Sequence, residues 1–245
     1  GATHPTLELL FTTGEEHFCV GAKAFDAERL QSKTAYVMDL SGPVGDCAVA
    51  APTLITFSAE VVGKAAHAGF APEDGVHAIQ VAAAAVANLP SGRWGDVTVN
   101  VGTITGGRAT NIVPDSCTVT GEIRALCHQD ALDRLNEIHS EFVEQAQAVD
   151  AKLNFNHTIH ITGYRVDTDA PVAQRFRRAC EAVGVAPRFT DTYGGSDCNI
   201  LSAHGIQGLV VATAMNNCHA VNEYTTVEEL CKAGRLAQAL MEKQD

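Results

Sequence analysis

The sequence predicts an α/β protein in which one compact unit, about residues 53–162, is inserted into a second α/β domain built from residues 1–52 and 163–245. Three observations carry that prediction. Hydrophobic spacing through the middle of the chain switches between periods of two and 3.6, in the order strand, helix, strand, strand, helix, strand. Both flanks read as pieces of one further α/β domain that the middle interrupts. With 46% hydrophobic and 19% charged residues over 245 positions, the chain has an ordinary globular composition and enough length for two cores.

Each element has its own signal. Leu7-Glu8-Leu9-Leu10-Phe11-Thr12-Thr13 reads as an apolar strand, stopped by Gly14 and followed by Glu15 and Glu16. Ala35-Tyr36-Val37-Met38 reads as a second strand ending at Asp39, before the turn-rich Ser41-Gly42-Pro43-Val44-Gly45. Residues 53–62 alternate as a strand, with Ile55, Phe57, Ala59 and Val61 on one side. Residues 75–89 take helical spacing through Val76, Ile79, Ala83 and Val86. Val97, Val99 and Val101 mark the next strand, and Cys117, Val119, Gly121 and Ile123 the one after. Leu132, Leu135, Ile138, Phe142, Ala146 and Val149 share a helical face, and Leu153 to Ile161 alternates as a fourth strand. That order predicts a four-stranded antiparallel sheet with two helices on one side. Beyond it come a helix from Pro171 to Val183, a glycine-rich turn, a strand over Leu209–Thr213 and a last helix from Val227 to Lys243.

Charge and composition exclude several classes. A net charge of −12 argues against a nucleic-acid backbone or an anionic membrane as the main partner. The best apolar run, Val81 to Ala87, is too short to span a bilayer. The eight cysteines form no C-x-x-C pair and read as reduced, mostly packed thiols of a cytoplasmic protein.

The candidate chemistry sits at strand ends. Two adjacent carboxylates can divide their work, Glu16 binding a metal while Glu15 accepts a proton from water. Paired glutamates on a surface turn are also common without any such role. Asp39 and His219, each at or after a strand, add the oxygen and nitrogen ligand types that a divalent metal needs. His67 stands in the small-residue turn Gly63-Lys64-Ala65-Ala66-His67-Ala68-Gly69, as either a functional or a capping histidine. Arg108 and Asn111 lie on a loop between strands, where they fit a substrate carboxylate or ordinary turn chemistry. His157 and His160 read as surface or packed residues, and His17 as pointing away from the glutamates. His4, His77, His128, His139 and His204 show no convergent partners.

Several separated motifs together resemble a known family. Gly63 to Gly69, Pro72-Glu73-Asp74-Gly75 and the run from Gly106-Gly107-Arg108 through Asn111 to Asp115 are similar to the lid domain of the zinc aminoacylase/carboxypeptidase G family, peptidase T-like branch. Phe11 to Glu16, Met38-Asp39, Gly194-Gly195-Ser196-Asp197 and His219 with Glu223 extend the resemblance over essentially the whole chain. The resemblance implies a catalytic α/β domain of phosphorylase/hydrolase-like, zinc exopeptidase type, with an inserted ferredoxin-like lid that dimerises. It implies Glu15 as general base, and Glu16, Asp39 and His219 as ligands shared between two zinc ions, other divalent metals being possible. His67 would reach the active site of the partner in a homodimer and stabilise an oxyanion. Arg108, Asn111 and the Gly194-Gly195-Ser196 turn would bind substrate.

The activity so implied is two-zinc, aminotripeptidase-like hydrolysis of short peptides or N-acyl amino acids. The chain departs from the family in one respect: no upstream His-x-Asp motif or metal-bridging Asp is present. With its start at Gly1-Ala2-Thr3-His4, it is expected to be part of a longer protein, with the N-terminal part of the catalytic domain absent or supplied as a separate fragment. The alternatives are a truncated, inactive dimerisation and peptide-binding module, or a single-metal site improvised with His4 or His17.

Overall fold

The computed structural model describes residues 4–242, so the expected start at Gly1 and the expected helix end at Lys243 lie outside the described residues. In chain order the first half comprises α1 (Val20–Ala24), β1 (Thr34–Ser41), β2 (Asp46–Ala51), β3 (Thr53–Val62), α2 (Ala78–Asn88), β4 (Gly92–Trp94), β5 (Val97–Gly106) and β6 (Ser116–Ala125). The second half adds α3 (His128–Gln147), β7 (Lys152–Ile161), β8 (Tyr164–Arg165), α4 (Pro171–Ala182) and β9 (Arg188–Asp191). It closes with α5 (Asp197–Ala203), β10 (Gln207–Met215) and α6 (Val227–Met241). Two compact units result: Gly1–Pro52 with Ile161–Asp245, and Thr53–His160.

The inserted unit is a mixed α+β layer pair. Its sheet has five strands in the order β4-β5-β6-β3-β7, one more than the sequence predicts. The addition is β4, three exposed residues that pair antiparallel with the start of β5 and carry no apolar alternation to announce themselves. β3 and β6 run antiparallel from Thr53 opposite Ala125 to Val62 opposite Ser116. Ile55, Phe57, Ala59 and Val61 turn to the helix side and pack with Val81, Ala82, Ala85, Leu135, Ile138 and Phe142. A side chain the size of Phe142 contributes about 1.5–3 kcal/mol on full burial. The buried face of α2 is Ala78, Val81, Ala82 and Ala85, with Ala83 exposed, a rotation from the expected Val76-Ile79-Ala83-Val86 stripe. In a segment that is nearly all alanine and valine, no polar face marks the phase.

Several histidines in this unit have structural work. His77 accepts the amide of Gln80 as the N-cap of α2, His128 Nδ1 lies 3.1 Å from the Thr53 hydroxyl, and His160 Nε2 lies 2.8 Å from the Thr56 hydroxyl.

The other unit is a sheet in the order β1-β10-β2-β8, with β9 also paired to β2. Every residue of β2 is buried, and Cys47, Val49, Phe176, Leu209, Val211 and Leu236 share the core. Strands covered on both faces read as continuous apolar runs, which β2 and β10 do. β1 and β10 are parallel, so their carboxyl ends share one edge of the sheet. Ligands in open α/β sheets sit beyond such ends.

Two elements differ from expectation. Residues 7–13 form no strand; Leu9 is 72% and Phe11 90% exposed, and a 3-10 turn over Glu15–His17 follows. An apolar run needs a ladder partner to become a strand, and none pairs with this run among the described residues. The second is α5, whose seven residues give less than two full turns of periodicity and so no helical signal in the sequence. All eight cysteines are free, five of them buried.

Candidate functional site

The Glu15–Glu16 turn is a tightly closed loop. Gly21 donates its amide to Thr13 O at 2.9 Å, Val20 to Gly14 O at 3.2 Å and Cys19 to Glu15 O at 2.8 Å. Gly14 has φ 67°, and a Cβ on it would stand 2.6 Å from Val20 Cγ2, so no larger residue fits. Phe18 and Cys19 also take positive φ, at 60° and 58°. Left-handed backbone costs a non-glycine residue about 1–2 kcal/mol, a penalty that clusters at functional sites. The loop leaves Glu15 half-buried and Glu16 exposed, without forming the expected strand end.

Asp39 comes from an irregularity in β1. Val37 pairs with Val210 and Leu40 with Ala212, so Met38 and Asp39 together oppose Val211 alone. A bulge of this kind re-aims a side chain. His219 follows β10 on a loop closed by Asn216 and Tyr224, which exchange backbone bonds at 3.0 and 3.1 Å. Its own φ is 64°, and its amide donates to the Glu223 carboxylate at 3.2 Å. The His219 Nδ1 reaches 3.6 Å from Glu16 Oε1.

The electrostatics follow from this crowding. Burial, then the carboxylates of Asp39, Glu16 and Asp197, push the Glu15 carboxyl up from 4.5 to about 7, with His219 opposing. Asp39 is displaced upward as well, by burial and by Glu16 and Asp197. By surface area Asp39 is open to solvent, so the protein packed round its carboxyl, rather than full enclosure, supplies that burial. The Cys19 thiol is pushed up to about 12 by burial and by the charges of Asp197 and Glu15, which makes it packing and not a nucleophile.

Carboxylates and an imidazole are the donor types zinc takes. Glu16 and His219 are close enough to share one ion, whose bonds to each would be about 2.0–2.2 Å. The repulsion among Glu15, Glu16, Asp39 and Asp197 is what a cation would relieve. Among the described residues, however, no three His, Cys, Asp or Glu converge on one point. The donors fit in kind and fall short in number.

The remaining predicted residues are placed as follows. His67 is exposed, accepts the amides of Gly69 and Phe70 on Nδ1 at 3.1 and 3.2 Å, and stacks on Phe70. Those two bonds leave the proton on Nε2, making it an outward donor. The His67 turn is bound to the Arg108–Asn111 loop: Ala68 donates to Asn111 O at 3.0 Å and Val113 to Ala66 O at 2.9 Å. Arg108 pairs with Asp115 at 2.5 Å and stays 66% exposed. Gly194 donates to Thr192 Oγ1 and Ser196 to Asn199 Oδ1, both at 3.1 Å, so these two amides serve the turn that opens α5. A Cβ on Gly195 would meet Ile161 Cδ1 at 2.2 Å.

Asp197 is the residue absent from the predicted set, although it ends one of the quoted motifs. The Ser196-x-x-Asn199 capping box was the local signal that a helix begins there and presents it.

Comparison with known proteins places these features. Residues 49–150 match the family model described as a peptidase dimerisation domain. An uncharacterized Bacillus subtilis protein, YqjE, is 32% identical over 241 residues, 98% of this chain and 65% of that relative. The solved aminopeptidase PepT of Bacillus cereus superposes with a TM-score of 0.89 at 37% identity, covering 94% of this chain and 62% of that one. A solved tripeptidase of Staphylococcus aureus gives 0.91 at 28% identity with the same coverage. This chain therefore spans somewhat under two thirds of each relative's length. Motifs, fold and sequence agree that the chain is similar to the M20 peptidases, on their peptidase T-like side.

Proposed function

We propose that the protein acts, in its complete form, as a metal-dependent exopeptidase that releases amino acids from short peptides or N-acyl amino acids, in the manner of an aminotripeptidase. The observation that carries this reading is the meeting of Glu16 and His219, 3.6 Å apart, beside the half-buried Glu15 carboxyl that Asp39 and Asp197 crowd. A carboxylate beside a metal site is suited to take a proton from water and return it to a leaving amine.

Glu16 and His219 would hold one zinc and Asp39 a second, with the remaining ligands coming from outside the described residues. When bound, such ions supply Lewis acidity to the scissile carbonyl. The chain's own residues do the rest. Glu15 moves the proton. Arg108 and Asn111 hold the peptide carboxylate, and the Gly194-Gly195-Ser196 turn lines the substrate. His67, with Nε2 as donor, serves the developing oxyanion of a partner protomer in a homodimer.

Among the described residues no helix is long and apolar enough to cross a membrane. A second reading is a peptide-binding dimer without catalysis, since among the described residues no three His, Cys, Asp or Glu converge. Hydrolysis of tripeptides by the purified protein, before and after chelation and beside Glu15→Gln, separates the two. Zinc-restored release of amino acids that the variant lacks supports the peptidase. Peptide binding with no turnover in any zinc condition supports the binding module.

A further inference from the structure

The Glu15–Glu16 turn is held in place by a residue to which the proposed chemistry gives no task. Asp197 is the first residue of α5, and α5 is itself pinned to the sheet. Asn199, 1% exposed, donates from Nδ2 to Pro52 O at 3.1 Å and to Thr162 O at 2.9 Å. From that fixed base Asp197 Oδ2 accepts the hydroxyl of Thr12, three residues ahead of Glu15. Its other oxygen, Oδ1, is buried with no hydrogen-bond partner among the described residues. On the far side of the turn Cys19 is 2% exposed, with its thiol 4.0 Å from Glu15 Oε1. A further carboxylate beside Glu15 and Asp39 is electrostatically unfavourable. A half-satisfied carboxylate in such company requires a compensating task, and its hydrogen bond to Thr12 supplies one.

We infer that Asp197 is a positioning residue: through the Thr12 hydroxyl it ties the Glu15–Glu16 turn to α5, and so sets where the Glu15 carboxylate stands relative to Asp39 and His219. This rests on the peptidase reading for its consequence in catalysis, but not for its structural content. The bond needs an acceptor and not a charge, so an amide in its place preserves it.

The test uses the intact protein with Thr12→Val, Asp197→Ala and Asp197→Asn, read in two ways. Amide hydrogen exchange of the segment 12–24 reports the turn without any need for metal or turnover. Steady-state hydrolysis of a tripeptide reports the placement of Glu15. Thr12→Val and Asp197→Ala are expected to speed exchange in that segment while α4 and α6 keep their protection. Their kcat is expected to fall about 10- to 100-fold with KM changed less than about twofold, as for a displaced catalytic group. Asp197→Asn is expected to restore both readouts to within about threefold of the parent.

Thr12→Val removes only a hydroxyl and keeps the test decisive if Asp197→Ala fails to fold. An Asp197→Asn variant as impaired as Asp197→Ala overturns the inference, because charge and not the hydrogen bond would then matter. Unchanged exchange in Thr12→Val overturns it too. If the parent hydrolyses no peptide, the functional reading fails and the exchange data alone decide the positioning role.

Discussion

The imidazole of His219 lies 3.6 Å from the carboxylate of Glu16, although the two residues come from opposite ends of the sequence. Both remain largely exposed, at 73% and 69%, so this pair adds little to stability. Its meaning is positional. A nitrogen and an oxygen donor have been brought to one edge of the sheet, where the parallel strands β1 and β10 end.

Chelation gives the most direct check of that pairing. If the complete protein is the proposed metallopeptidase, dialysis against EDTA abolishes its tripeptide hydrolysis and zinc restores it. The parent is expected to gain melting temperature with zinc, and His219→Ala to lose that gain. Full activity in metal-free protein would sink the metal reading.

Glu15→Gln is expected to lower kcat by about 10²–10⁴-fold with little change in KM, because only proton transfer is removed. The same variant carries a stability signature. A folded-state pKa raised from 4.5 to about 7 means the folded protein binds the Glu15 proton more tightly than the unfolded chain does. That stability is fully present below about pH 4.5 and is lost as the pH rises through 7. In metal-free buffer the parent should therefore show a falling melting temperature across this window. Glu15→Gln should show a shallower fall and be the more stable protein at neutral pH. An identical pH profile for the two would show that Glu15 is not crowded in solution.

Arg108→Ala should separate substrate binding from folding. The Arg108–Asp115 pair is exposed, so its loss is expected to cost no more than about 1 kcal/mol. Loss of a carboxylate anchor should raise KM for free tripeptides and spare substrates whose carboxyl end is amidated. Equal effects on both substrates would remove Arg108 from the proposed site.

Gly121→Ala tests the packing of the inserted unit. A Cβ there would lie 2.4 Å from Phe57 Cζ and 2.5 Å from Asn100 O. Because the carbonyl belongs to a neighbouring strand, the clash cannot be relieved by a rotamer change alone. Destabilisation of about 1–3 kcal/mol by denaturant titration is expected. No measurable change would show that the irregularity between Val101 and Thr103, beside Gly121, lets β5 and β6 yield.

The inserted unit was legible in the sequence because its elements are long and strictly periodic. β3, with Ile55, Phe57, Ala59 and Val61 facing inward, needs only its own alternation to be identified. Where periodicity is weak, the reading slipped. Three residues of β4, seven of α5 and the alanine-rich α2 offer too few polar and apolar contrasts to set an element or its face. The Leu7–Thr13 run is as apolar as a strand, yet a strand is a pairing and cannot be read from one partner.

The candidate site divides along the same line. The sequence by itself determined which residues are chemically able to act: the adjacent carboxylates of Glu15 and Glu16, Asp39, His219, and His67 in its small-residue turn. Only the tertiary structure decided that Glu15 is crowded by Asp39 and Asp197, that a bulge in β1 carries Asp39, and that Thr12 is bonded to Asp197. The physical reason is range. Residue type and short-range pattern are local properties of the chain. A shifted pKa, a shared ligand position and a positioning hydrogen bond arise from distances between residues far apart in sequence, which only the packed sheet sets.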